Sequence, residues 1–169
     1  MITVCEEQNG DAAGIRRVNE LAFETPAEAD LVDLLRKRDK LLVSLVAVEG
    51  ERVVGHIAFS SASIEPEAPG LSGAGLGPMA VLPEVQRTGI GSQLVREGLD
   101  RCKQIGLSFV VVLGHPHYYP RFGFAPASRF GVRCTWTVPD EVFMAMELRP
   151  GALAGIRGLA RYEPEFEDV

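Results

Sequence analysis

The chain has 169 residues, of which 46% are hydrophobic and 24% are charged, and its formal net charge is −6. This composition is typical of one globular domain with a substantial core, and the acidic balance argues against a nucleic-acid partner. The sequence shows neither a signal-peptide pattern nor an apolar run of about 18 residues, so we expect a cytoplasmic protein with no membrane partner. Its three cysteines are widely spaced and we expect them to be reduced.

The first part of the chain predicts a strand, two helices and a hairpin. Residues 2–6 alternate between apolar and polar side chains, as in a strand. Asp11 is predicted to cap a first helix, and residues 25–28 form a capping-box pattern that opens a second. Residues 41–48 and 53–64 are predicted as the two strands of a hairpin. The predicted inward face of the first helix consists of Ile15, Val18, Leu21 and Ala22.

The second part of the chain predicts strands that flank one amphipathic helix. Residues 66–75, rich in proline and glycine, are predicted as a loop, and residues 76–81 as a strand. A helix is predicted to follow Gly89 and to end at Gly106. Residues 109–113 are almost entirely apolar, as expected of an interior parallel strand. A late strand over residues 143–148 precedes residues 150–169, which we predict as a C-terminal tail of loop or short helix.

The turn before the amphipathic helix is the strongest sign of a ligand site. Its sequence is Gln-Arg-Thr-Gly-Ile-Gly over residues 86–91. Amides at a helix start favour anions, and glycines allow a phosphate to approach them. A dinucleotide fingerprint would need a third glycine where Leu94 stands, and a P-loop would need Lys-Ser/Thr where Ser92 and Gln93 stand. Neither common nucleotide motif is therefore present.

Residues 86–91 instead resemble the Gln/Arg-x-x-Gly-x-Gly/Ala acyl-CoA signature of the GNAT superfamily of N-acetyltransferases. Tyr119, Gly123 and Phe124 resemble the Tyr-x-x-x-Gly-Phe motif that follows the fifth strand in that family, and the combined match covers residues 76–124. The resemblance implies an α/β (α+β) fold in one domain over residues 1–169. Its central sheet would be mixed and splayed between the fourth and fifth strands, with helices on both faces.

The resemblance also implies acetyl-CoA as cosubstrate, and we expect no metal. Backbone amides over residues 87–92 would hold the CoA pyrophosphate, while Met79 and Val81 would pair with the pantetheine arm. Pro78 has no N–H, which is consistent with a break in strand pairing there. The full set of implied cofactor-binding positions is Met79, Ala80, Val81, Gln86, Arg87, Thr88, Gly89, Ile90, Gly91 and Ser92.

Tyr119 lies at the position of the family's general acid, with Tyr118 as the alternative. A phenol, whose usual pKa is about 10, stays protonated at neutral pH and can protonate a leaving thiolate. The general base is not identified, because residues 75–81 contain none of the acids that many relatives carry on the fourth strand. Glu28 is a candidate for the acceptor site, although its capping position explains it equally well. His56, in mid-strand, is a candidate base because imidazole titrates near neutral pH, but a lone histidine there is more often structural than catalytic.

Residues elsewhere offer further candidates for the acceptor pocket. His115 and His117 could line the site or only shape a turn, and Trp136 could wall the pocket or pack in the core. Cys134 as an acyl carrier is disfavoured, since the family transfers the acetyl group directly.

The sequence therefore predicts an N-acetyltransferase in which a primary amine attacks acetyl-CoA directly within a ternary complex. The acceptor could be a small-molecule or peptide amine, and a homodimer would be consistent with the family. The alternative is a non-catalytic acyl-CoA-binding or regulatory module of the same fold. The missing acid on the fourth strand favours that alternative, whereas Tyr119 favours the enzyme.

Overall fold

A computed structural model describes residues 1–168 and shows a mixed α/β fold. Five short 3-10 helices accompany the helices and strands, at Pro83–Val85, Tyr119–Phe122, Ala127–Phe130, Asp140–Val142 and Pro164–Asp168. In chain order the helices and strands are β1 (Ile2–Glu6), α1 (Ala12–Phe23), α2 (Ala27–Lys37), β2 (Leu41–Glu49), β3 (Arg52–Glu65), β4 (Gly73–Val81), α3 (Ile90–Gln104), β5 (Phe109–Leu113), β6 (Ala125–Pro126), β7 (Val132–Arg133), β8 (Phe143–Glu147) and β9 (Gly158–Arg161).

The described residues form two compact units. The first consists of residues 1–60, 77–101 and 164–168, and the second of residues 61–76 and 102–163. Strands β3 and β4 and helix α3 each contribute residues to both units. Within residues 1–168, no helix combines the length and the apolar character that crossing a membrane requires.

The first unit is an antiparallel sheet covered by helices on both faces. β2 pairs with β1 and with the first part of β3. On one face, a Cβ on Gly55 of β3 would lie 3.1 Å from Leu94 and 3.2 Å from Ile90, so α3 packs closely there. On the other face, α1 approaches β3 where Gly14 meets Val53. The expectation of helices on both faces of the sheet is therefore confirmed.

A polar chain crosses the interior of the first unit and explains His56. The imidazole is fully buried, and its Nε2 lies 2.8 Å from Ser44 Oγ. Ser44 Oγ lies 2.5 Å from Glu7 Oε1, and Arg36 of α2 binds the same carboxylate. A serine hydroxyl has one proton, which goes to the carboxylate, so His56 must donate from Nε2. Burial lowers the pKa of His56 to about 4 and keeps the ring neutral, which is the structural role that the sequence favoured.

The second unit is a mixed sheet in which β5 is an interior strand. Residues 73–76 of β4 pair with β5 in parallel, while β8 pairs with β5 and β6 in antiparallel fashion. The parallel register ends with Leu76 opposite Val112, although β4 itself continues to Val81. This is the splay that the resemblance implied. Next to the sheet, β9 pairs with the end of β3 and with β7.

Two expectations about the N-terminal helices were wrong in detail. Asp11 makes no capping hydrogen bond to α1, because its carboxylate accepts the N–H of Gln8 at 2.7 Å instead. Leu21 is 44% exposed, and Asn19 is buried in its place. Near the start of α2, the Thr25 hydroxyl accepts the N–H of Ala27 and donates to Glu28. The predicted contact between Thr25 and Glu28 is therefore present, but Thr25 lies one residue before the N-cap of the helix.

Two expectations about the later part of the chain were also wrong in detail. β4 begins at Gly73 rather than at residue 76, and the side-chain space at Gly73 and Gly75 is filled by aromatic rings. Part of the segment predicted as loop or short helix forms β9, and Pro164–Asp168 follows as a 3-10 helix. The last residue of that segment, Val169, lies outside the described residues.

Candidate active site

The turn between β4 and α3, in the first unit, is held by its own polar side chains. Gln86 Nε2 donates to the carbonyl of Val81 at 2.9 Å, and Thr88 Oγ1 donates to the carbonyl of Val85 at 2.6 Å. The side chain of Gln86, predicted as a cofactor-binding residue, therefore fastens the turn to the end of β4. Arg87 and Gly89 have left-handed backbone conformations, with φ of 65° and 91°. This geometry bends the chain sharply into the helix.

Helix α3 presents backbone amides at this turn. The N–H of Gln93 donates to the carbonyl of Gly89 at 3.0 Å. The amides of Ile90 and Gly91 lie earlier in the chain than this hydrogen bond. Such amides, together with the positive end of the helix dipole, are suited to binding an anion. Ile90 and Leu94 are buried against β3, which fixes the helix start in place. Leu94, which excluded a dinucleotide fingerprint, is therefore a packing residue.

The last residues of β4 differ in how far they are buried. Ala80 and Val81 are buried, whereas Met79 is half-buried. Pro78 has no N–H to donate to a neighbouring strand. The carbonyl of Val81 is bound by Gln86, as described above. Of the two residues expected to pair with the pantetheine arm, Met79 is therefore less enclosed than Val81.

Tyr119, in the second unit, lies in a tight aromatic cluster that follows β5. Its side chain is 7% exposed and its ring contacts Tyr118 and Phe124 in edge-to-face geometry. Burial, with a smaller effect of Tyr118, raises the pKa of Tyr119 to about 12, so the phenol remains protonated at physiological pH. Gly123, with φ of 108°, ends the 3-10 helix that begins at Tyr119. Within the second motif, Tyr119 therefore begins this short helix and Gly123 lies directly after its last residue.

The alternative acid, Tyr118, is in a different environment. It is half-buried, and the guanidinium of Arg121 lies 4.6 Å from the centre of its ring. His115 and His117, on the loop that leads into the tyrosines, are both exposed. Among the described residues, no group of histidine, cysteine, aspartate and glutamate side chains is arranged to hold a metal ion.

The two predicted acceptor residues lie in different surroundings. Glu28, in the first unit, is half-buried and its carboxylate accepts the hydroxyl of Thr25 at 3.0 Å. Trp136, in the second unit, is half-buried and contacts the ring of Tyr162, with ring centres 5.3 Å apart. The hydrogen bond of Glu28 is that of a residue in the first turn of a helix.

Sequence reasoning missed Tyr162, which follows β9. Its hydroxyl oxygen is buried, and a Cβ on Gly75 of β4 would lie 2.5 Å from its ring. Burial raises the pKa of Tyr162, and the electrostatic influence of Cys134 and Tyr119 adds to this. The sequence offers no signal for this position, because Gly75 and Tyr162 are far apart in the chain and Tyr162 belongs to no motif.

Comparisons with known proteins agree with these features. Residues 6–127 match the family model described as an acetyltransferase (GNAT) domain. The uncharacterized N-acetyltransferase YhbS of Escherichia coli is 39% identical over 157 residues, which cover 92% of this chain and 93% of YhbS. The uncharacterized N-acetyltransferase YjhQ of Escherichia coli is 36% identical over 153 residues, which cover 86% of this chain and 84% of YjhQ.

Solved structures show the same fold. The crystal structure of Escherichia coli YhbS in complex with CoA matches with a TM-score of 0.93 at 37% identity, covering 98% of this chain and 91% of that one. A GNAT family acetyltransferase from Brucella melitensis, in complex with acetyl-CoA, matches with a TM-score of 0.82 at 35% identity and covers 99% of both chains. The chain therefore belongs to the GNAT family of acetyltransferases, as its two sequence motifs predicted.

Proposed function

We propose that this protein transfers an acetyl group from acetyl-CoA to a primary amine by direct attack within a ternary complex. The observation that carries this proposal is the full-length likeness to the Brucella melitensis acetyltransferase, whose structure contains acetyl-CoA. The YhbS structure, which contains CoA, supports the same cosubstrate.

The turn before α3 has the properties that a CoA pyrophosphate requires. The amides of residues 87–92 supply donors, and the left-handed conformation of Gly89 turns the chain so that α3 begins at Ile90. Gln86 contributes by holding this turn against Val81. Met79, Ala80 and Val81 supply the strand edge along which the pantetheine arm would pair. Acetyl-CoA, when bound, supplies the activated acetyl group.

Tyr119 is the proposed general acid. Acetyl transfer leaves a thiolate that needs a proton, and Tyr119 keeps its proton because burial raises its pKa to about 12. Burial also strengthens the hydrogen bond that the hydroxyl can donate, because the surroundings have a low dielectric constant. The backbone N–H of Met79 is proposed to polarise the thioester carbonyl.

We propose that the attacking amine loses its proton to water rather than to a side chain. The two candidates for a side-chain base have other roles: His56 is fully buried and donates to Ser44, and Glu28 accepts a hydrogen bond from Thr25. Residues 75–81 of β4 contain no acidic side chain that could act as the base. The proposal therefore takes solvent as the proton acceptor.

Two measurements test this proposal. Acetyl-CoA is expected to raise the melting temperature, whereas NADH at the same concentration is not, because the turn lacks the dinucleotide fingerprint. Thiol release from acetyl-CoA is expected to depend on an added primary amine. If acetyl-CoA stabilises the protein but no amine of a broad panel releases CoA, the protein is a binding module and the proposed activity is wrong.

A further inference from the structure

The aromatic pair Tyr162 and Trp136 is built rigidly into the second unit. Tyr162 directly follows β9, which pairs with β3 on one side and β7 on the other. Thr135 Oγ1 donates to the carbonyl of Ala160 at 2.5 Å, which ties the segment that carries Trp136 to the strand that precedes Tyr162. The two rings meet at 5.3 Å with an interplanar angle of 58°. Their relative position is therefore fixed by the backbone of β9.

Tyr162 lies beside the place where β4 and β5 part. A Cβ on Gly75 would be 2.5 Å from Cε2 and 2.8 Å from Cδ2 of Tyr162, so the ring occupies the space that a side chain at this strand position would fill. Gly75 is opposite Val111, and the parallel pairing ends one step later, with Leu76 opposite Val112. The ring thus lies at the last paired residues of the two strands.

The pair has a buried hydroxyl, but neither of its two residues is fully enclosed. The hydroxyl oxygen of Tyr162 is buried, while both Tyr162 and Trp136 remain half-buried as whole residues. Tyr119 and Cys134 influence the pKa of Tyr162, which rises above its usual value chiefly through burial. The Tyr162 hydroxyl therefore lies close enough to the proposed acid for the two groups to interact electrostatically, which links the pair to Tyr119.

We propose that Tyr162, together with Trp136, determines acceptor specificity by forming an aromatic wall for the body of the amine. This inference rests on the proposed acetyl transfer. Ring faces offer apolar contact and stacking rather than full negative charges. In this part of the molecule the carboxylate of Glu65 is bound by Arg161. The acceptor that this wall selects is a primary amine on an aromatic or apolar body, in preference to a polyamine.

The test compares phenethylamine with spermidine as acceptors. The unmodified protein is expected to show the higher kcat/KM with phenethylamine. Tyr162→Leu, which keeps an apolar side chain against Gly75, is expected to raise KM for phenethylamine by about tenfold, with KM for spermidine and for acetyl-CoA changed by less than about twofold. Trp136→Ala, at a half-buried site, is expected to produce the same selective rise. Tyr162→Phe keeps the ring and is expected to keep the KM.

Arg157→Gln is the matched control, since Arg157 directly precedes β9 and is exposed; it is expected to leave both KM values unchanged. The inference would be overturned if Tyr162→Leu and Trp136→Ala changed KM equally for the two amines, or changed neither KM. A higher kcat/KM of the unmodified protein with spermidine would also overturn it. Each of these results would leave acetyl transfer intact. Absence of CoA release from the unmodified protein with every amine would instead overturn the proposed function, and this inference with it.

Discussion

Gly114 leaves the space in which the ring of Tyr119 lies. A Cβ on Gly114 would come 2.5 Å from Cε2 of the tyrosine, which is closer than real side chains approach. The backbone at Gly114 is held by its N–H, which donates to the carbonyl of Val142 at 2.9 Å. A side chain at this position would therefore displace the ring rather than the strand end. The position of the proposed acid depends on a residue that has no side chain.

Gly114→Ala is expected to lower kcat by about tenfold or more, because a misplaced catalytic group loses much of its effect. The alanine can adopt the backbone conformation, so the loss would come from the ring of Tyr119. Gly10→Ala is the control, since nothing lies within 4 Å of a Cβ there. Steady-state kinetics on both variants measure the difference, and equal kcat values for Gly114→Ala and the unmodified protein would show that the ring position does not matter.

Tyr119→Phe is expected to reduce kcat by about a hundredfold or more, as for other general acids, with little change in the affinity for acetyl-CoA. Tyr118→Phe removes the neighbouring hydroxyl and is expected to keep most of the activity. Because the pKa of Tyr119 is raised to about 12, its ionisation should cause no fall in kcat up to about pH 10. Comparable losses in the two variants would contradict the assignment of the acid to Tyr119.

Gly89→Ala tests the turn before α3. With φ of 91° the position disfavours alanine, and the strain is expected to cost about 1 kcal/mol of stability. Gly106, beyond the other end of α3, has φ of 88° and open space around it, so Gly106→Ala carries the same strain away from the turn. Isothermal titration calorimetry is expected to show weaker acetyl-CoA binding for Gly89→Ala alone. Equal weakening in both variants would mean that the turn does not hold the cosubstrate.

The buried His56 predicts a pH dependence of stability. Its pKa is about 4 in the folded protein, against about 6.5 when unfolded, so below pH 6.5 the unfolded chain gains a proton that the folded one does not. The free energy of unfolding should therefore fall between about pH 6.5 and pH 4, by about 3 kcal/mol from this group. Above that window the group contributes no slope.

Urea denaturation across that range checks this prediction. His56→Gln is expected to show a shallower fall, whereas His117→Gln, which replaces an exposed histidine, is expected to show the slope of the unmodified protein. Identical slopes in all three proteins would show that His56 does not remain neutral in the fold.

The features that could be predicted from sequence are those with a local cause. β1, β5 and α3 follow from their patterns of apolar residues, with Gly89 and Gly106 marking the limits of α3, and the turn at residues 86–91 follows from its own sequence. The motif at Tyr119 could be recognised because its residues, Tyr119, Gly123 and Phe124, lie close together in the sequence.

The features that were missed depend on distant contacts. β9 has four residues and is stabilised by pairing with β3, almost a hundred positions earlier. Gly73 and Gly75 suggested a loop, yet each makes room for a ring, of Phe109 and Tyr162 respectively. Asp11 suggested a cap, but its carboxylate is used by Gln8. None of these partners could be chosen from the local sequence.

The most direct test of the central claim is mass spectrometry of a mixed amine library incubated with the protein and acetyl-CoA bearing an isotope-labelled acetyl group. Our account predicts labelled acetyl on one or more primary amines, formed by the unmodified protein and strongly reduced with Tyr119→Phe. Stabilisation by acetyl-CoA without any labelled amine would contradict it and identify a binding module.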